Sequence, residues 1–319
     1  MNPSDIVEIQ NLRHSYKDRE VLKGLSLSVR RGEIFGFLGP NGSGKTTLFR
    51  ILSTSFAPSS GVVFIDALDI YKEAASVRKK IGVVFQSPSL DAKLKVKENL
   101  MHQGHLYGLS GAALEKRSKL MLEKLGLTDR ASERAEKLSG GLKRRVELAK
   151  GLLHEPILII LDEPSTGLDP GARIDLWKYL QNLRKENGVT ILITTHLMEE
   201  AEECDRIAIL NHGNLVSLGA PNELKRKVSK DIIVIKTQEA DVLAAKIKEK
   251  FGFEALVENG AVQVEHDKGP ELVAKLAEAF AGQIQAITYR KPTLEDVFLH
   301  ETGHQFWEKG EKENARDRF

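Results

Sequence analysis

The sequence predicts an α/β protein with a mostly parallel central sheet, followed by a smaller α+β domain. Three observations predict this class. Short, nearly unbroken apolar segments recur along the chain, as in GEIFGFLG, KKIGVVFQ, PILIILDE and GVTILITTH. Strands that are apolar on both faces are typical of parallel sheets covered by helices. A glycine-rich segment, PNGSGKTTLFRILS, leads from the first of these strands into a predicted helix, and a second strand–helix series follows near residue 230.

The first domain, placed at residues 1–228, combines three kinds of structure. IVEIQNLRHSY and VLKGLSLSV alternate apolar and polar residues, which predicts an antiparallel β subdomain. The apolar segments form the parallel core. Residues from about 90 to 150 are polar and helical in pattern, so we expect a helical subdomain inserted between two strands. The apolar face of one of its helices consists of Leu114, Met121, Leu122 and Leu125.

The second domain, placed at residues 229–303, follows the order strand, helix, strand, strand, helix, strand. This order is that of the ferredoxin-like motif. Asn259-Gly260 predicts a type I′ turn between its two middle strands. Thr293 and Asp296 have the spacing of a capping box at the start of a last helix. Residues 304–319 are charged and nearly devoid of apolar side chains, so we expect disorder there.

The composition limits the kinds of partner that the protein can bind and the compartment in which it works. The 319 residues carry a net charge of +2, which provides no electrostatic basis for binding nucleic acid or a membrane surface. The lone Cys204 excludes an intramolecular disulfide and agrees with a reducing compartment. The N-terminus MNPSDIVEIQ does not have the pattern of a signal peptide. Because no apolar run approaches about 18 residues, we expect another chain to supply any membrane spans.

The glycine-rich segment GPNGSGKT matches the phosphate-binding loop G-x-x-x-x-G-K-[ST]. Glycines allow the backbone N–H groups to turn toward phosphates, and the helix N-terminus adds its dipole. Lys45 is expected to reach the β- and γ-phosphates, and Thr46 to bind magnesium. The predicted nucleotide-binding residues of this segment are Gly39, Pro40, Asn41, Gly42, Ser43, Gly44, Lys45, Thr46 and Thr47.

Polar side chains end three of the apolar strands. Asp162 and Glu163 follow LIIL, Gln86 follows VVF and His196 follows ITT. The carboxyl ends of parallel strands are where such sheets bind ligands. We expect Asp162 to hold magnesium, with Gln86 as a further ligand, and Glu163 to act as the general base. Hydrolysis also needs a group that orients the attacking water and a group that faces the γ-phosphate, and we expect Gln86 and His196 to supply them.

These residues, in this order, resemble the ATP-binding-cassette (ABC) ATPases over roughly residues 6 to 225. The resemblance rests on Tyr16, GPNGSGKTT, Gln86 in VVFQSPSLD, LSGG, LIILDEP, STGLD and His196 in ITTH. It implies the P-loop NTPase fold of an ABC cassette, with ATP and Mg²⁺ bound. It further implies that Tyr16 stacks on adenine, and that Asp169 lies in the turn between two ATP sites.

The same resemblance assigns a role to LSGG. Two cassettes of this family pair head to tail, and each LSGG faces the phosphate loop of the other copy. We therefore expect the chain to form a homodimer, in which the γ-phosphate bound by one copy is contacted by Ser139, Gly140 and Gly141 of the other.

The residues after LSGG raise two further points. Lys143, Arg144 and Arg145 are cations at the positive end of a predicted helix, where an approaching anion would be favoured. Taken without the resemblance, this short run is more typical of a solvated face, and so are the acids of LMEEAEECD. Leu142 stands where the family most often has glutamine, so we expect weaker or altered contact with the second copy.

The C-terminal motifs RKPTLEDVFLHETG and TTHLMEEAEECDRIAILNHGNLVSLGAP resemble ATPases of the daunorubicin-resistance exporters. The resemblance implies an ATPase that powers export through a separate membrane permease, located in the cytoplasm on the inner face of the membrane. The cargo does not follow. The alternatives are an ABC ATPase acting on nucleic acid or ribosomes, which usually has two cassettes or a coiled-coil insertion, and a regulatory cassette. We expect no nucleic-acid partner.

Overall fold

The computed structural model describes residues 4–228, 231–258, 260–303 and Phe306. They form two compact units that divide between Ala220 and Pro221. This division comes earlier than the boundary expected after residue 228, because helix α8 (Pro221–Val228) packs against helix α11 (Leu294–Thr302) of the second unit.

The first unit contains two sheets. The antiparallel sheet consists of β1 (Asp5–Tyr16), β2 (Arg19–Arg30), β4 (Ser60–Ile65) and β5 (Leu68–Asp69), in the order β2-β1-β4-β5. The six-stranded sheet consists of β3 (Ile34–Leu38), β6 (Ile81–Val84), β7 (Leu158–Asp162), β8 (Thr190–Thr195), β9 (Arg206–Asn211) and β10 (Asn214–Gly219).

The six-stranded sheet has the order β10-β9-β3-β8-β7-β6 and is parallel except for β10, which pairs antiparallel with β9. Every residue of β3, β7 and β8 is buried. The unbroken apolar segments therefore predicted the parallel core correctly, since both faces of these strands are covered. The carboxyl ends of β6, β7 and β8 lie side by side and carry Gln86, Glu163 and His196 just beyond them.

The helices of the first unit separate into those beside the sheet and those of the inserted subdomain. The helices of the sheet region are α1 (Lys45–Leu52), α2 (Ala74–Lys80), α6 (Pro170–Asn187) and α7 (Met198–Glu202). The insertion contains α3 (Val96–Leu106), α4 (Gly111–Lys124), α5 (Gly140–Leu152) and two short 3₁₀ turns, Thr128–Arg130 and Ala135–Lys137.

The packing explains why both regions fold. One buried cluster combines β1, β2 and β4 of the antiparallel sheet with α1 and several strands of the larger sheet, so these layers share a core. In the insertion, Leu114, Met121, Leu122 and Leu125 are all buried, which confirms the predicted apolar face of α4 and the residue after it. The insertion lies between β6 and β7, as the sequence predicts.

The second unit is an antiparallel sheet with helices. It comprises α8, β11 (Asp231–Lys236), α9 (Ala240–Phe251), β12 (Ala255–Glu258), β13 (Ala261–His266), α10 (Gly269–Ala279), β14 (Ala286–Arg290) and α11. The strand order β12-β13-β11-β14 is that of a ferredoxin-like sheet. Ile233, Ile235, Leu243 and Leu272 are buried in its core, where one face of the sheet meets α9 and α10.

Two of the predictions for the second unit concern residues that the structure does not describe. Glu258 pairs with Ala261 and Gly260 has a φ of 75°, but Asn259 lies outside the described residues, and the turn type stays a prediction. The expected disordered tail, 304–319, also lies outside them apart from Phe306. The capping box is present: Thr293 Oγ1 accepts from the Asp296 N–H, and Asp296 accepts from the Thr293 N–H.

None of the helices in the described residues is both long enough and apolar enough to cross a bilayer.

Candidate functional site

The phosphate-binding loop joins β3 to α1. Gly42 and Gly44 have φ values of 78° and 103°, in the left-handed region that glycine adopts without steric cost. Gly44 is the N-cap of α1 and its carbonyl accepts the first helical bond, from the Leu48 N–H at 2.9 Å. The glycines at these positions let the chain turn sharply into the helix, so that the first N–H groups of α1 face the loop.

Lys45 is buried in this loop. Its Nζ donates to the carbonyl oxygens of Gly39, at 2.7 Å, and Pro40, at 3.1 Å. Burial lowers the pKa of Lys45, while the nearby carboxylates of Glu163 and Asp162 act in the opposite direction. The ammonium group is thus held beside the two acids, in a position to neutralise an incoming phosphate.

Two further residues of the loop bear on what it can bind. Ser43 Oγ is buried and has no hydrogen-bond partner in the described part of the chain. A buried hydroxyl without a partner is costly, and a phosphate oxygen would satisfy it. Thr46, in the first turn of α1, is exposed. The loop therefore suits a phosphate group better than a purely structural turn.

Asp162 ends β7 and is 4% exposed. Thr194 Oγ1 donates to its Oδ1. Burial raises the pKa of Asp162, opposed by this hydrogen bond and reinforced by the charge of Glu163. No group of three or more His, Cys, Asp or Glu side chains gathers among residues 4–228, 231–258 and 260–303. The predicted ligands Thr46, Asp162 and Gln86 offer one carboxylate among neutral oxygens, a set that suits Mg²⁺ bound together with phosphate oxygens.

The backbone of Glu163 is unusual, because its φ of 44° lies in the left-handed region. A non-glycine residue there is strained and persists only where its surroundings hold it. The N–H of Glu163 donates to both the carbonyl oxygen and Oγ1 of Thr194, each at 3.1 Å. These bonds fix the residue at the end of β7.

The carboxylate of Glu163 brings together three polar side chains. Gln86 Nε2 donates to its Oε2 at 3.1 Å, and Thr166 Oγ1 donates to the same oxygen at 3.2 Å. His196 Nδ1 lies 3.1 Å from Oε1. Burial acts to raise the pKa of Glu163, but the His196 contact and the charges of His196 and Lys45 together lower it. Glu163 is therefore ionised at neutral pH and can accept a proton.

Tyr16 lies at the end of β1, on the side of the loop. The residue is 41% exposed, and its hydroxyl is 3.4 Å from Thr47 Oγ1. The rings of His14 and Phe56 meet it edge-on, at 4.8 and 6.2 Å. The structure therefore places an accessible aromatic surface next to the phosphate loop.

The predicted LSGG residues form a separate cluster at the start of α5. Ser139 is the N-cap, and its Oγ accepts from the Leu142 N–H at 3.4 Å. A Cβ added to Gly141 would come 3.1 Å from the Cβ of Ala172. Asp169 caps α6 by accepting from the Ala172 N–H at 2.9 Å. In the described residues these bonds stay within the cluster, and none reaches Lys45 or Thr46.

One of the arginines after LSGG corrects the sequence analysis. Arg144 is buried, and its guanidinium donates to the carbonyl oxygens of Phe85, Gln86 and Glu163. Arg145 donates to Asp175 at 2.8 Å and to the Leu125 carbonyl. Arg144 is therefore not part of a solvated face, whereas Arg145 is partly exposed and forms a surface ion pair with Asp175, as the sequence analysis expected of this short run.

The acids after His196 require a second correction. Glu200 is 2% exposed and accepts from Ser165 Oγ and Thr195 Oγ1, although LMEEAEECD was expected to be a polar surface. Burial raises the pKa of Glu200, and the two hydroxyl donors oppose this. Glu200 connects the loop after Glu163 to the strand end before His196.

Sequence reasoning missed Arg144, Glu200 and also Thr194, whose hydroxyl bonds to Asp162. Charged residues inside polar segments have no pattern that marks them as buried. Thr194 and Thr195 carried a faint signal, since two adjacent hydroxyls end an otherwise apolar strand.

Comparisons with known proteins agree with this geometry. The ABC transporter family profile matches residues 22–166, and the profile of the C-terminal domain of DrrA1-3-like ATP-binding proteins matches residues 219–302. The daunorubicin resistance ATP-binding protein DrrA3 of Streptomyces coeruleorubidus is 36% identical over 93% of this chain and 96% of its own length. The Nod factor export ATP-binding protein I of Rhizobium meliloti is 37% identical over 95% and 90%.

Solved structures match the fold. A CbiO1 from Clostridium perfringens, part of the ABC transporter complex CbiONQ, has a TM-score of 0.65 and 30% identity, covering 78% of this chain and 96% of that one. A dimeric post-hydrolysis ATP-binding cassette bound to ADP and Pi has a TM-score of 0.62 and 30% identity, covering 67% and 98%.

The fold and the site together define a nucleotide hydrolase of the P-loop class. Within that class, the chain belongs to the ABC ATPases, which hydrolyse ATP, and its C-terminal domain is of the DrrA type.

Proposed function

We propose that this ABC ATPase powers export through a separate membrane permease, with Glu163 as the general base. The observation that supports the hydrolytic roles is the cluster of Gln86, His196 and Lys45 around one ionised carboxylate. Export is supported by the relatives, whose names refer to daunorubicin resistance and Nod factor export. The cargo of this chain stays open.

The chemistry follows from the arrangement of side chains. ATP enters with its phosphates on the loop, where Lys45 and the N–H groups of α1 face the negative charge. Glu163 accepts the proton of the attacking water. Gln86 and His196 each contact one oxygen of the Glu163 carboxylate and so fix its orientation. Mg²⁺, held by Thr46, Asp162 and Gln86, would neutralise charge on the phosphates.

The test of the base is Glu163→Gln. We expect turnover to fall by roughly 10²- to 10⁴-fold, with ATP binding retained, because the amide keeps the size but cannot take a proton. Glu199→Gln is the matched control, since Glu199 is exposed on α7 and bonds to none of the site residues in the described chain. Hydrolysis near the wild-type rate in Glu163→Gln would contradict the assignment.

The second part of the proposal is a head-to-tail homodimer, in which Ser139, Gly140 and Gly141 of one copy contact the nucleotide of the other. Ser139 and Gly140 are exposed, and the segment that leads to Asp169 is close, because a Cβ added to Gly140 would lie 3.9 Å from the Gly167 carbonyl oxygen. One cassette with this fold, MJ0796, is described as dimeric in two solved structures. With ATP, Glu163→Gln should elute as a dimer in size-exclusion chromatography. Adding Ser139→Glu should prevent this, because a carboxylate then faces the γ-phosphate; a persistent dimer would count against the contact.

We further propose that the protein works in the cytoplasm, on the inner face of the membrane, through its permease. Affinity purification from membranes should recover a multi-span protein. Recovery of ribosomes or nucleic acid would favour the alternative function, which the net charge of +2 does not support.

A further inference from the structure

Arg144 connects three chain segments near the hydrolytic cluster. Its Nη1 donates to the Phe85 carbonyl at 2.7 Å, and its Nη2 donates to the carbonyls of Gln86, at 3.3 Å, and Glu163, at 3.4 Å. The side chain comes from the first turns of α5, the helix that Ser139 caps. One guanidinium therefore joins the first turns of the helix that begins at LSGG to the backbone of Gln86 and Glu163, the two residues proposed above to act in hydrolysis.

The same face of α5 makes further contacts with the segment that carries Gln86. Glu147 accepts from the Ser89 N–H at 2.9 Å and from its hydroxyl at 3.2 Å. Lys150 donates to the Ser89 carbonyl at 2.7 Å. Arg144, Glu147 and Lys150 are spaced three residues apart, so they lie along one face of the helix. This face holds the backbone from Phe85 to Ser89 along its length.

The placement of Arg144 is costly for a purely structural residue. Its side chain is buried, and no carboxylate pairs with it directly in the described part of the chain. A buried cation needs its donors satisfied, and here backbone carbonyls satisfy them. The rigid planar fork of arginine can reach several carbonyls at once, which the single point charge of lysine cannot.

One of these carbonyls belongs to the strained residue. Glu163 has a φ of 44°, and such a conformation must be held from several sides. Thr194 holds its N–H, and Arg144 holds its carbonyl oxygen. Losing the guanidinium would release one of the two ends of this residue.

We infer that Arg144 is a positioning residue for hydrolysis, which couples the start of the LSGG helix to Gln86 and Glu163 within the same copy. The inference rests on the roles proposed above for those two residues. A movement of α5, such as engagement of LSGG by a second copy, would then be transmitted to the base and its glutamine partner.

The test compares Arg144→Met and Arg144→Lys with the wild-type protein. Methionine keeps an unbranched apolar stem of similar length and removes every donor. We expect kcat to fall by about 10- to 100-fold, the effect of misplacing reacting groups by about an ångström. The affinity for a fluorescent ATP analogue should stay near the wild-type value, because the phosphate loop is untouched. Arg144→Lys should be intermediate, since it keeps the charge but has one compact ammonium group in place of the planar fork.

Arg117→Met is the matched control. Arg117 is a half-buried arginine of the same helical subdomain that pairs with Glu155, away from the hydrolytic residues. Its loss should leave both kcat and nucleotide affinity close to wild type.

A double-mutant cycle with Gln86→Ala separates positioning from general destabilisation. If Arg144 acts by placing Gln86, then Arg144→Met should slow the Gln86→Ala protein by a smaller factor than it slows the wild type. An unchanged kcat in Arg144→Met, or an equal factor in both backgrounds, would overturn the inference. If Arg144→Met does not fold, Arg144→Lys is carried through the same cycle.

A wrong assignment of Glu163 as the general base would give a different kinetic result from a wrong inference about Arg144. In the first case Glu163→Gln would hydrolyse ATP normally. If Glu163→Gln is slow and Arg144→Met is not, the base assignment stands and the inference about Arg144 is wrong.

Discussion

Removal of the buried carboxylate of Glu200 should weaken the first unit strongly. Glu200 accepts from Ser165 Oγ and Thr195 Oγ1, and these two residues are 0% and 1% exposed. Glu200→Ala leaves both hydroxyls buried without their acceptor. An unsatisfied buried polar group costs about 1–3 kcal/mol, so we expect the free energy of unfolding to fall by about 2–6 kcal/mol. Glu200→Gln keeps one acceptor oxygen and should cost about half as much.

The measurement is urea unfolding followed by tryptophan fluorescence. Trp177 is buried on α6 of the first unit, and replacing Trp307 by Phe makes it the sole tryptophan reporter. Glu199→Ala is the control, because Glu199 precedes Glu200 on the same helix but is exposed. We expect the control to change stability by less than about 0.5 kcal/mol.

The order wild type, Glu199→Ala, Glu200→Gln, Glu200→Ala of decreasing stability would confirm that Glu200 links the two loops. Equal unfolding midpoints for Glu199→Ala and Glu200→Ala would refute the reasoning, since the two hydroxyls would then have found other partners at no cost.

Two further predictions concern LSGG and the second unit. Leu142→Gln restores the polar side chain that ABC ATPases usually carry, and a new hydrogen bond of about 1 kcal/mol would lower the KM for ATP roughly fivefold. Leu142→Ala is the control. An unchanged KM in Leu142→Gln would show that this chain contacts the nucleotide of the second copy without that group. Burial acts to raise the pKa of Asp296, but Arg290 and the capping bonds of Thr293 hold it below its ordinary 3.8. The stability that Asp296 contributes is therefore present above about pH 4 and is lost as the pH falls further, through the folded-state value. Asp296→Ala should remove this acid sensitivity and lower the melting temperature of the second unit at pH 7, whereas Glu301→Ala, at the exposed C-terminal end of α11, should do neither.

Much of the fold was predictable because the relevant signals are local. The apolar runs of β3, β7 and β8 are buried on both faces, which the residues of each strand already indicate. The order of elements in the second unit, together with the capping box at Thr293, predicted its topology. The two compact units divide before α8, whereas the sequence prediction placed the boundary after it, because the packing partner α11 lies far along the chain.

Part of the candidate site was likewise predictable from the sequence, and part was not. The sequence predicted that the strand-end residues Glu163, Gln86 and His196 would lie together, because parallel strands bring their carboxyl ends to one edge of the sheet. In the structure Gln86 donates a hydrogen bond to one oxygen of the Glu163 carboxylate, and His196 Nδ1 lies 3.1 Å from the other.

The amino-acid sequence by itself determined the fold class and the phosphate loop, because each depends on residues that are neighbours in the chain. Only the tertiary structure decided the direction of Arg144 and Glu200. Arg144 meets a carbonyl that is 59 positions away, and Glu200 meets a hydroxyl that is 35 positions away. Whether a charged side chain faces water or the interior depends on which distant backbone groups the packing brings to it. The three cations of LSGGLKRR are typical of a surface in the sequence, yet one of them, Arg144, donates from the interior to the backbone carbonyls of Gln86 and Glu163.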